Sequence, residues 1–233
     1  RSGEAAALSA LGRVYRFLGE HQKALDHHAQ ALSILRTIGE RMNEATSLNN
    51  SAHVYLSLGQ YRDALPLFEQ SWAICLAVGN RAGEASNTNG VGLVHAGLGE
   101  YEKALGFHRD ALQLFRSLGH RRAEADSLGH IGRAYDGLGD HGQARAYLQD
   151  ALAIYRAVKV PRQESETLYA MARTARRGRD FAAAGTDIDQ AIRLAEGFRQ
   201  DVSSQQLRTS YQGTIRDFYE LKIDVLMQLH KQA

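Results

Sequence analysis

Apolar residues recur along this chain at three- and four-residue steps, in blocks that stop and restart about every twenty positions. In one block Ala45, Leu48, Ala52 and Tyr55 share a helical face. In the next, Tyr61, Ala64, Leu65, Phe68, Ser71, Trp72 and Cys75 do the same. Leu58-Gly59 and Val78-Gly79 close the two blocks. A stripe of this kind predicts an amphipathic helix, and glycine supplies the left-handed residue that ends one cheaply. Short turns then make consecutive helices antiparallel neighbours.

The pair of helices repeats at a fixed spacing of 40. Glu4-Ala5, Glu44-Ala45, Glu84-Ala85 and Glu124-Ala125 align, as do Leu18-Gly19, Leu58-Gly59, Leu98-Gly99 and Leu138-Gly139. Ala24, Ala64, Ala104, Ala144 and Ala184 form one small-residue column, and Ala31, Ser71, Ala111, Ala151 and Ala191 another. A third column, Gly12, Ala52, Gly92, Gly132 and Ala172, falls on the first helix of each pair. Small side chains let helix axes approach, while Tyr15, Tyr55 and Tyr135 fill wider gaps; a bulky residue at Gly92 or Ala104 is expected to overpack by roughly 1–3 kcal/mol. Such a period is the mark of a repeat array whose core runs between neighbours. The expected organisation is five repeats over 1–200 (about 1–40, 41–80, 81–120, 121–160 and 161–200) and a separate helix over 201–233.

Departures from the pattern are specific. His95 stands in the tyrosine column, and Pro66 removes a backbone donor from a second helix. The fifth repeat has Val158-Lys159-Val160-Pro161 as its linker, Ala175 in the tyrosine column, and Gly178-Arg179 in place of Leu-Gly. After it, Asp201-Val202-Ser203-Ser204 reads as a helix start with a serine N-cap. Leu207, Tyr211, Ile215, Phe218, Leu221, Val225, Leu226 and Leu229 then predict a helix of roughly seven turns that caps the array.

Leu-Gly-x-x-Tyr followed by the two alanine columns resembles the tetratricopeptide repeat, in the 40-residue form of kinesin light chains, Pins-type polarity adaptors and many bacterial proteins. The resemblance runs from Arg1 to about Arg199. It implies an all-α, right-handed superhelix (an α-solenoid) whose function is protein recognition. The tail from Leu207-Arg208-Thr209-Ser210-Tyr211 to Leu229 resembles the connector that follows the repeats in bacterial TPR–CHAT proteins, where CHAT is a caspase- and separase-like cysteine protease. That implies a regulatory arm for a protease domain beyond Ala233, in keeping with a chain that opens in mid-pattern at Arg1.

Charge and cysteine content narrow the classes. Twenty-eight basic against 26 acidic side chains leave +2, which speaks against a dedicated nucleic-acid or membrane-surface protein. One cysteine cannot form an internal disulfide, so a reducing, cytoplasmic setting is the expectation. No apolar run is long enough to cross a bilayer.

Catalytic chemistry finds no footing. Cys75 shares its column with Leu35, Phe115, Tyr155 and Ala195, so it reads as a buried structural thiol rather than a nucleophile. Of the ten histidines, His28 and His108 replace Phe68, Leu148 and Ile188 in an apolar column, and no His-Glu-x-x-His or paired-cysteine spacing points to metal. Gly92 and Gly97 have P-loop spacing, but Leu98 stands where the lysine belongs. The expectation is therefore no enzyme, no metal and no cofactor in this chain.

What remains is the face of the first helices, which lines the concave groove in the family resembled. Carried over, its positions include Arg13, Asn49, Asn50, His53, Asn89, Arg133, Tyr169, Arg173, Arg176 and Arg177. Asparagine amides donate and accept at once, which suits an extended backbone, and arginines pair with carboxylates. The reading is a groove for a protein or peptide segment, with an acidic part near the fifth repeat; a set of solvated side chains is the competing reading. A stand-alone adaptor, the sensor arm of a bacterial NTPase-type regulator, and an RNA-binding helical repeat supported by the arginine cluster are the alternatives.

Overall fold

The structure is a computed structural model that describes residues 1–201 and 205–231, with backbone alone for 198–201, 205–212 and 214. Among the described residues every regular element is helical: α1 (Ser2–Phe17), α2 (His21–Ile38), α3 (Arg41–Ser57), α4 (Tyr61–Ala77), α5 (Arg81–Gly97), α6 (Tyr101–Ser117), α7 (Arg121–Gly137), α8 (His141–Ala157), α9 (Pro161–Arg177), α10 (Phe181–Asp201) and α11 (Gln205–His230). The helices gather into two compact units, Arg1–Gly119 and His120–Ala233. The first holds α1–α6 and the second α7–α11.

The backbone repeats every 20 residues rather than every 40. Seven linkers place a glycine at positive φ, from Gly19 at 78° to Gly139 at 82°. The residue after it returns its N–H to the carbonyl five positions back: Glu20 to Tyr15 at 2.9 Å, Gln60 to Tyr55 at 2.9 Å, Asp140 to Tyr135 at 3.0 Å. This is the Schellman closure, which satisfies the last carbonyls of the helix and reverses the chain. The degenerate repeat keeps the geometry with the wrong residues, for Lys159 (φ 56°) and Arg179 (φ 64°) occupy the same left-handed place. Pro66 leaves α4 unbroken.

The small-residue columns lie where helices meet. All five alanines of the 24-to-184 column are wholly buried. The first-helix column at 12, 52, 92, 132 and 172 faces the second-helix column at 28, 68, 108, 148 and 188. A Cβ on Gly12 would sit 2.6 Å from the His28 ring, one on Gly92 2.6 Å from His108, and one on Gly132 2.8 Å from Leu148. Rings stack across the first and fourth hairpins, Tyr15 on His27 and Tyr135 on Tyr147. His95 keeps the role of the tyrosine it replaces by stacking on Phe107 at 5.2 Å.

The tail closes the fifth repeat as the expected capping helix does, and its place in the array is regular. α11 packs on α10 and touches α9, as α9 packs on α8 and touches α7, so it stands in the place of a sixth first helix. Val225 is wholly buried against Ala175, Phe181 and Ala184, and Ile215 and Phe218 join the core of Leu168, Ala172, Ile188 and Ile192. The expected serine cap at 203–204 lies outside the described residues, as do the side chains of the stripe positions Leu207 and Tyr211. No helix among the described residues is long and apolar enough to cross a membrane.

Candidate functional site

Each unit presents its own first-helix face. In the first unit, Arg13 is exposed on α1, Asn49, Asn50 and His53 are half-buried on α3, and Asn89 is half-buried on α5. Thr46 and Asn49 of α3, Ser86 and Asn87 of α5, and Ser71 and Cys75 of α4 line a polar hollow of about 140 Å³. Asn49 donates through Nδ2 to Asn87 Oδ1 at 2.9 Å. Asn87 in turn donates to the Gly83 carbonyl at 2.8 Å, and its amide reaches Cys75 Sγ at 3.6 Å. One pair earlier, the Ser9 and Ser47 hydroxyls bond at 2.9 Å. Both links span 38 residues and tie neighbouring first helices together. Asn49 therefore works within the fold as well as at its surface.

Asn89 likewise has an internal partner. His108 Nδ1 lies 2.6 Å from Asn89 Oδ1, so the imidazole donates there. His53 sits edge-on to Phe68 at 5.2 Å between ring centres, and burial, with Arg16 nearby, pushes it down to about 4. It is neutral at physiological pH. Burial also raises the Cys75 thiol, which keeps it protonated and inert.

The second unit carries Arg133 on α7 and Tyr169, Arg173, Arg176 and Arg177 on α9. Tyr155 donates to Asp126 Oδ1 at 2.6 Å. Burial pushes the Asp126 carboxyl up, while that hydrogen bond, Arg122 and Arg133 oppose the shift. The Arg133 Nη2 lies 2.9 Å from His130 Nδ1.

The larger opening, about 300 Å³, lies between α9 and α11. One wall is Tyr169, Arg173, Arg176 and Arg177; the other is Asp217, Glu220, Leu221 and Asp224. Tyr169 lies over Phe218, ring centres 4.6 Å apart, and the Arg173 guanidinium stands over the Tyr169 ring at 5.8 Å. Arg176 is paired with Asp224, whose carboxyl it holds below the usual range by hydrogen bonding. Arg177 is paired with Asp136. Arg173 has no ion pair among the described residues. The arginines expected to meet an acidic ligand are thus brought together, but two of the three already have carboxylates of this chain.

The acidic wall is what the sequence reading missed. Its signal was present: Asp217, Glu220 and Asp224 recur at helical spacing, on a face of α11 beside the apolar stripe. Among the described residues, no group of three or more His, Cys, Asp or Glu is placed to hold a metal ion.

Comparisons with known proteins agree with this architecture. A family model described as Tetratricopeptide repeat matches residues 3–77 and 83–157. No curated protein matches the chain in sequence. The crystal structure of a Rap protein complexed with competence and sporulation factor superposes with a TM-score of 0.80 at 18% identity, covering 98% of this chain and 68% of that one. Aspartyl phosphate phosphatase F from Bacillus subtilis gives 0.71 at 17% identity, covering 98% of this chain and 60% of that one. BtubC from P. vanneervenii gives 0.69 at 21% identity, with 84% and 82% covered. At these identities the likeness is one of fold.

Proposed function

The chain belongs to the tetratricopeptide repeat family, and on that premise we propose that it is a recognition module whose first-helix faces hold a segment of a partner protein. The observation that carries this reading is the polarity of those faces. Each unit has an open, polar hollow on its first helices, lined by amides and hydroxyls in one and by charged groups in the other. Side chains of this kind offer a peptide backbone both donors and acceptors. Affinity then comes from many modest contacts on a preformed surface rather than from chemistry on a substrate.

The test is site-specific photo-crosslinking in an extract of the source cells. A benzophenone amino acid at Asn50 or Arg173 is expected to capture a partner; the same group at the exposed second-helix positions Gln113 and Gln149 is expected to capture none. Replacing Asn49, Asn50 and Asn89 together with alanine should abolish capture from a benzophenone at Thr46 of the same unit and leave the helical circular dichroism intact. Equal capture from both faces, or capture indifferent to the triple change, overturns the reading.

The finer proposal is that this module is the regulatory arm of a bacterial CHAT-type protease, cytoplasmic, with α11 as the connector. Its support is the resemblance of the tail and the outer face of α11, where Ile223, Leu226 and Met227 are 52–58% exposed. A helix that only capped the array would have little use for such a face. Reading the gene beyond Ala233 decides it: an α/β domain with a His and a Cys at strand ends supports the protease arm, and a stop codon there leaves an adaptor.

A further inference from the structure

The geometry points to the α9–α11 cleft as the binding site for a peptide segment that carries a carboxylate and a cation on nearby residues around an apolar one. This rests on the reading that the first-helix faces receive a chain segment, and it names what that segment looks like.

The charges that remain available decide what the cleft can hold. Arg176 and Arg177 are neutralised by Asp224 and Asp136. Arg173 is the cation left on the α9 wall without a described carboxylate, and it is held over the Tyr169 ring. Across the cleft, Asp217 and Glu220 face solvent, with Arg216 as their neighbour at 3.9 and 3.5 Å. Arg216 is itself 75% exposed in its side chain and outside the cleft lining, so these pairs screen the acids weakly. A purely acidic segment would meet Arg173 on one side and two carboxylates on the other. A purely basic one would meet the reverse. Only a ligand bearing both signs satisfies the two walls.

The floor adds a third requirement. Tyr169 and Leu221 are part of the lining, and Tyr169 is fixed from behind by Phe218. This rigid apolar patch between charged walls suits an aliphatic or aromatic side chain. Helix axes in contact lie about 8–10 Å apart, so the ligand's charges must sit on different residues. A free amino acid, with both charges on one carbon, does not bridge them. The space of about 300 Å³ is at the small end of ligand pockets and suits a few residues of a longer chain.

A random hexapeptide library displayed on phage and panned against the full chain tests this. Enriched sequences are expected to combine Lys or Arg with Asp or Glu around an apolar residue. A synthetic enriched peptide should lose affinity as salt rises, and millimolar glycine should not compete with it. Arg173→Gln should weaken that peptide at least fivefold and remove the preference for the acid. Asp217→Asn with Glu220→Gln should remove the preference for the base. All three side chains are exposed, so circular dichroism should be unchanged in both variants. Enrichment of purely acidic or purely basic peptides, binding indifferent to Arg173→Gln, or a library that enriches nothing overturns this assignment. None of these outcomes touches the crosslinking result, which reports on whole partners and on both faces.

Discussion

Gly12 and Gly92 each give up a side chain so that an imidazole can lie on the helix backbone. The exchange is local: where the second-helix residue is Phe68 or Ile188, the column holds Ala52 or Ala172 instead. Gly90 makes the same concession to Phe68 from the next hairpin, with 2.4 Å to the ring for an added Cβ. Gly90→Ala should therefore destabilise the chain by about 1 kcal/mol or more, strain outweighing the gain in helix propensity. Gly106→Ala meets nothing within 4 Å and should stabilise by up to about 1 kcal/mol. Urea denaturation of the two variants checks the contrast; equal effects would mean that the Phe68 ring does not require glycine at 90.

His28 gives the residue scale its pH dependence. Its ring is wholly buried, and both nitrogens lack a hydrogen bond among the described residues. Burial first, then Arg16, Arg13 and His27, push it down to about 4. The unfolded chain binds the proton near pH 6.5 and the folded chain does not, so stability is lost as pH falls from about 6.5 towards 4. The shift corresponds to about 3 kcal/mol at the acid end. His28→Leu, which copies Leu148 against its own glycine, should flatten this limb, to which His53 also contributes. Denaturation midpoints across pH 4–8 measure it, and an unchanged slope would remove His28 as its cause.

At the scale of the element, the linker imposes a 20-residue beat that the side chains do not always respect. Lys159 and Arg179 hold a left-handed conformation that disfavours a Cβ. Lys159→Gly should raise the melting temperature slightly, for a gain of up to about 1 kcal/mol. A drop would show that the lysine side chain contributes more than the strain costs. α11 makes the complementary point. Phe218 is almost fully buried, so Phe218→Ala should cost roughly 3–5 kcal/mol, and removing residues 204–233 should lower the melting temperature at least as far. An unshifted melt would mean that α11 lends the array no stability.

At the scale of the whole molecule, each unit has its own buried clusters. Phe68, Val91 and Val94 centre one in the first unit, and Leu148, Ile188 and Phe218 one in the second. Repeat arrays draw stability from nearest neighbours. Residues 1–119 expressed alone should keep their helical spectrum and melt cooperatively; a disordered fragment would contradict an independent core. Much of this was legible in advance. The helix pairs, the buried alanine columns and the thiol at Cys75 follow from spacing alone. The place of α11 as a further first helix was not legible, because its sequence carries the apolar stripe without the repeat's glycines and alanines.

Sequence by itself determined the period, the fold class and the columns that pack, because contacts in a repeat recur at a fixed offset and leave a small residue wherever two helices meet. Tertiary structure alone decided which polar groups are already spent. Asn49 reaches Asn87 across 38 residues, and Asp224 reaches Arg176 across 48. Neither offset is the period of 40. The arginines of α9 look like an acid-binding surface until the rotation of α11 about its own axis is known, for that rotation turns three carboxylates into the opposite wall. A helix's charges are written in its sequence. What faces them is set by how the next helix packs.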